Sequence, residues 1–113
     1  MFKTITNYTI IAILISIGLS QVDYTSEIQV IFDNNCGNCH LGNSSGGLNL
    51  SSYSNLMNGG NSGDVIAPYI HTVSELYDRI TREESAAGDM PPNGSLTQFQ
   101  IDLIAQWIDE GAL

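Results

Sequence analysis

Two thiols and an imidazole stand together at Cys36-Gly37-Asn38-Cys39-His40. This C-x-x-C-H spacing is the signature of covalent haem attachment. Two intervening residues let both sulfurs reach the two vinyl groups on one side of a porphyrin. The imidazole that follows at once can approach the iron from that side, and the thioethers hold ring and ligand in a fixed relation. The same residues permit other chemistries. Cys36 and Cys39 could close a structural disulfide in an exported protein. A redox dithiol also uses C-x-x-C, normally at a helix start within an α/β pattern, and no β signal accompanies this one. Zinc would need Cys36, Cys39, His40 and a fourth ligand, His71 or a carboxylate, with Cys39 and His40 awkwardly adjacent.

An electron carrier fills the sixth position of its iron, and a methionine sulfur there favours the ferrous state and raises the potential. Beyond the leader, the candidates are Met57, Met90 and His71. Met90 fits best. It lies in an irregular segment fifty residues after His40, far enough to cross to another side of the haem, and Pro91-Pro92 stiffen that segment. Met57 shares a helical face with Tyr53 and reads as core; His71 reads as a loop residue near a helix start. Arg79 and Tyr53 are candidates for the haem propionates. The competing roles are an ion pair with Glu75 one turn earlier for Arg79, and simple packing for Tyr53.

These residues need elements to place them. The first twenty residues read as an export signal: Lys3, then an almost wholly apolar run from Tyr8 to Leu19, then small residues at Gly18 and Ser20 ahead of Gln21. An uncleaved membrane anchor is the competing reading, although the run is short for a span. Residues 21–113 make one domain. Thr25 or Ser26 could cap a helix to about Asn34 with Ile28, Ile31 and Phe32 on one face. Ser51 or Ser52 starts a short helix carrying Tyr53, Leu56 and Met57, stopped by Gly59-Gly60. Thr72 with Glu75 fits a capping box for a helix over about 73–81, and Thr97 with Gln100 fits another for a last helix to about Glu110, stopped by Gly111. No strand signal of useful length is present. The expected class is all-α, with short helices and long loops that make sense when wrapped around a cofactor.

The chain of 113 residues carries a formal charge of −9, and its only lysines and arginines are Lys3, Arg79 and Arg82. That balance argues against nucleic acid and anionic membrane surfaces. It suits redox partners with basic docking patches, or serves solubility alone.

The sequence resembles the small His/Met monohaem cytochromes c, and more particularly the planctomycete-type cytochrome c domain. The resemblance is carried by Ile31-Phe32 before the Cys36–His40 motif, Gly46-Gly47-Leu48-Asn49-Leu50, Leu56-Met57-Asn58-Gly59-Gly60, Ser74–Ile80, Met90-Pro91-Pro92 and Leu103–Ala112. It implies a small cytochrome c fold around one covalent haem c, with the first and last helices crossing. It also implies Cys36 and Cys39 as attachment sites, His40 as proximal and Met90 as distal iron ligand. Phe32, Leu50, Leu76, Ile104 and Trp107 are candidates for the apolar pocket. Where such domains often have Pro-Gly, this chain has Pro68-Tyr69. The function expected is one-electron transfer in the periplasm, with no substrate chemistry. The alternatives are a sensor or peroxidase with an open or displaceable sixth ligand, and a docked subunit of a larger oxidoreductase.

Overall fold

The structure is a computed structural model that describes residues 21–41 and 45–113. The expected leader at 1–20 lies outside the described residues. Among those described there is no strand beyond an isolated bridge between Gly60 and Gly63. No described helix is long and apolar enough to cross a membrane.

A π-helical turn at Tyr24–Ile28 leads into α1 (Gln29–Asn35), followed by α2 (Gly37–His40), α3 (Tyr53–Asn58), α4 (Glu75–Ile80) and α5 (Gln98–Asp109). The start of the first helical segment differs from expectation. Its cap is Asp23, whose carboxylate accepts from the Ser26 amide at 2.9 Å. The carboxylate also faces the positive end of the helix dipole. Ser52 caps α3, accepting from Asn55 N. The box at Thr97 and Gln100 forms with both its bonds, a device that contributes about 1 kcal/mol.

The box expected at Thr72 and Glu75 does not form. His71–Val73 is a 3-10 turn, and α4 begins only at Glu75. Ser74, at the cap position, spends its hydroxyl on the preceding loop, accepting from Ala67 N at 2.8 Å and donating to Ile70 O. The Glu75 carboxylate turns forward to Arg79 instead.

The core is one cluster. Ile28, Ile31 and Phe32 from the first helical segment are buried with Ile104, Trp107 and Ile108 of α5, so the two terminal helical segments share their apolar faces. The Tyr24 ring lies 5.2 Å from both Trp107 and Tyr53. Each of these large side chains contributes about 1.5–3 kcal/mol by leaving water.

The C-terminal end of α5 is where the chain is tied together. Gly111 at φ +111° lets its own amide and that of Ala112 turn back to Ile108 O and Trp107 O, which satisfies carbonyls that a helix end would otherwise leave unpaired. Val22 N donates to Glu110 Oε1, Tyr53 Oη to Ala112 O, and Tyr69 N to Ile108 O. Tyr69 explains the departure at Pro68-Tyr69. It adopts φ +76°, the conformation that suits glycine. The strain is offset by that bond and by its ring, which packs where a Gly111 side chain would otherwise stand.

Next to it, the His71 amide and ring both bond to Asp109, at 3.0 and 2.8 Å. Slight burial works to raise the Asp109 pKa, but the His71 hydrogen bonds and charge outweigh it and hold the carboxyl below its ordinary 3.8. A depressed carboxyl contributes stability that is complete above the unfolded value and is lost as pH falls through the folded one. Asp109→Asn is therefore expected to flatten the loss of stability below about pH 4, read as thermal midpoint against pH beside the parent protein.

Candidate haem site

Cys36 closes α1, its amide bonded to Phe32 O at 2.8 Å. The next residues make one tight turn, α2, with His40 N returning to Cys36 O at 3.0 Å. The turn puts Cys36, Cys39 and His40 on the wall of a single cavity of about 420 Å³, within the roughly 300–1,000 Å³ usual for cofactor sites. Both cysteines are free thiols. Burial, followed by the neighbouring Cys39, pushes the Cys36 thiol up to about 11. A redox dithiol needs the reverse, a depressed thiol that is ionised near neutrality. The zinc alternative lacks its ligand set: among the described residues no three His, Cys, Asp or Glu side chains converge as a metal site.

His40 is only 7% exposed. Its Nδ1 lies 2.9 Å from Leu48 O. A carbonyl only accepts, so Nδ1 carries the proton and Nε2 keeps the lone pair that an iron would take. The main chain holds the same residue, since Leu50 N donates to His40 O at 2.8 Å. Leu48 and Leu50 thus orient the imidazole through backbone groups, a role their side-chain identities do not announce.

The remaining walls come from elsewhere in the chain. Leu48, Leu50, Val65, Leu76 and Ile80 make them apolar, and Met90, Pro91 and Pro92 line the same cavity. The charged side chains among the lining residues are Glu75 and Arg79, which neutralise each other with Nη2 and Oε2 3.2 Å apart. Arg79 Nη1 also reaches Gly88 O. Its Nε is buried without a partner, a free donor on a residue of the cavity wall. Two cysteines, an oriented imidazole, a thioether, apolar walls and one unsatisfied guanidinium donor fit a haem with its acidic propionates.

Three residues weighed for the site stand outside it. Met57 packs against the apolar core, His71 is bound to Asp109 with its ring edge-on to Tyr77, and Tyr53 donates to Ala112 O within the aromatic group. The expected pocket list needs correction as well. Leu50 and Leu76 line the cavity, but Phe32, Ile104 and Trp107 do not. They are consumed by the packing of the terminal segments on each other, where Trp107 Nε1 also bonds Leu113 O. Val65 and Ile80 take their place. Ile80 ends the apolar stripe of α4 begun by Leu76. Val65 sits in a turn-rich stretch without periodicity, and its carbonyl is held by Leu76 N.

The family model for planctomycete cytochrome C matches residues 36–94, which begins at the first attachment cysteine and ends just past Met90-Pro91-Pro92. Searches of curated proteins and of solved structures find no match. With more than half its length matched and a cavity that fits the cofactor, the chain belongs to the planctomycete cytochrome c family, whose cytochrome c domain implies haem binding and electron transfer.

Proposed function

We propose that the protein is a periplasmic one-electron carrier with a single haem c, attached through Cys36 and Cys39 and ligated by His40 and Met90. The observation that carries this reading is that one cavity is bounded by the C-x-x-C-H turn and by Met90, segments fifty residues apart in sequence. When bound, haem iron supplies the reversible one-electron couple. The chain's own residues do the rest. Leu48 O fixes the His40 tautomer. Met90, on the wall of the same cavity, would supply the second protein ligand. The apolar walls and the neutralised Glu75–Arg79 pair would favour the less charged ferrous centre, and Arg79, on the cavity wall, is the candidate partner of a propionate.

The same reading takes residues 1–20 as a cleaved export signal and places redox partners with basic patches against the acidic surface. Both arginines are already committed to Glu75 and Asp78, so the uncompensated charge is acidic. The experiment is a mass measurement on protein matured in a haem-attaching host, with a reduced visible spectrum before and after carbon monoxide. Expected are a chain shortened by about twenty residues plus one haem, and a spectrum that carbon monoxide leaves unchanged. A full-length mass would favour the anchor, and a shifted spectrum a ligand-binding sensor or peroxidase.

A further inference from the structure

Arg79 and Arg82 are the only lysine or arginine residues of the described chain, and both turn toward the loop that carries Met90. Arg82 Nη1 donates to Ala87 O at 2.7 Å, while its Nε and Nη2 hold Asp78 Oδ2 at 3.1 and 2.6 Å. Arg79 Nη1 donates to Gly88 O at 3.3 Å, braced from behind by Glu75. The backbone of the same arginine completes the grip, since Arg79 O accepts from Met90 N at 3.0 Å. Between the two guanidiniums sits Gly88, at φ +81°, where any Cβ would run into Nη1 of both Arg79 and Arg82. Past Met90 the loop is held again: Glu84 accepts from Gly94 N and Ser95 Oγ, both at 2.8 Å.

Ion pairs one turn apart on a helix are commonplace and contribute little by themselves. These two differ in what the free ends of the forks do. Each reaches past its carboxylate to a loop carbonyl within three residues of Met90. The planar guanidinium presents its five donors in a fixed fork that serves both partners in one geometry, whereas the three donors of an ammonium are not held in such a fork.

We propose that Arg79 and Arg82 are positioning residues, a double clamp on residues 87–90 that sets how often the Met90 sulfur leaves the iron. The proposal rests on Met90 being the distal ligand. It makes the occupancy of the sixth position a property of α4 and the turn that follows it, which hold the loop from outside the cofactor's own bonds.

Arg82 gives the cleaner test, because Arg79 also lines the cavity and Arg82 does not. Arg82→Gln in the haem-loaded protein is compared with the parent in three measurements: carbon monoxide affinity of the ferrous form, hydrogen exchange at the Met90 amide, and the far-red iron–thioether band of the ferric form. Losing one hydrogen bond from a charged donor raises the open population about tenfold. Affinity and exchange should therefore both rise about that much, with the haem still attached and the band weakened. Gly88→Ala, which displaces both guanidiniums while keeping them charged and also strains the backbone at φ +81°, should raise both at least as much. Arg82→Lys should rescue only in part. If the parent shows the band and Met90→Ala removes it, yet affinity and exchange stay at parent values in both Arg82→Gln and Gly88→Ala, the clamp is overturned. If the parent lacks the band, or it survives Met90→Ala, the ligand assignment is overturned and the proposal falls with it.

Discussion

Met90→Ala is expected to abolish the far-red iron–thioether absorption of the ferric protein and to turn a closed centre into one that binds carbon monoxide. The sulfur is the soft ligand that favours ferrous iron, so the potential should fall. A drop on the order of 0.2 V is a modest share of the roughly 0.8 V that axial ligands command across haem proteins. Weak peroxidase activity is expected to accompany the open site. Met57→Ala serves as the control. Met57 is half-buried against the core and absent from the cavity wall, so its loss should leave the spectrum intact. It should cost about 1–2 kcal/mol, below the usual 2–5 for a fully buried methionine. His71→Ala should loosen the 69–73 segment from α5 and leave the iron unchanged. The ligand assignment fails if the band survives Met90→Ala; its loss in Met57→Ala would make Met57 the ligand, and a parent without the band whose iron spectrum changes only in His71→Ala would be a bis-histidine centre.

Cys36→Ser combined with Cys39→Ser is expected to have a larger effect still, on the fold as well as on the cofactor. Parent protein should keep its haem through acid–acetone extraction, because thioethers are not ligand bonds; the double variant should release it. A dry cavity costs about 24 cal/mol per Å³. The cavity here, about 420 Å³, is partly open to solvent, so a chain that cannot retain its cofactor loses only a part of what that volume would cost if enclosed, against a total stability of about 5–15 kcal/mol for an ordinary domain. Water entry and wall collapse relieve part of this. Even about 3 kcal/mol lowers the thermal midpoint by about 12–24 °C in a domain of this size. Calorimetry of the haem-free double variant beside the parent reads the shift. Haem retention by the variant, or zinc in place of haem in the parent, would remove the attachment claim.

Residues whose role is set by local spacing were legible from sequence. The attachment turn, the box at Thr97 and Gln100, the Ser52 cap and the stop at Gly111 each depend on neighbours within a few positions, and the structure forms all of them. The Thr72–Glu75 box does not form because the 3-10 turn at His71–Val73 delays the helix to Glu75, which leaves Ser74 at the cap position with its hydroxyl spent on the preceding loop, and because Arg79 one turn ahead takes the Glu75 carboxylate. The apolar pocket was misread for a related reason. Periodicity says that Phe32, Ile104 and Trp107 are inside, but not which of two apolar surfaces they face, and they went to the helix contact. Leu48 was invisible as a ligand-orienting residue because it acts through its carbonyl. The arginine clamp is equally silent in sequence, where Arg79 and Arg82 register only as ion-pair candidates.

The hydrogen bonds that hold the Met90 loop are all local. Arg82 to Ala87 spans five residues, Arg79 to Gly88 nine, and Glu84 to Gly94 and Ser95 ten and eleven. The bonds that draw the attachment side onto α5 are of another kind: Val22 reaches Glu110 across 88 residues and Tyr53 reaches Ala112 across 59. Short loops close at small entropic cost and form early, while distant pairs wait. The order of assembly follows from that difference. The bonds within Glu75–Ser95 can close before the distant pairs do. The attachment turn closes as locally, His40 being held by Leu48 and Leu50, so it is the packing of these two local units against each other, through Val22 and Tyr53, that waits for the last helix.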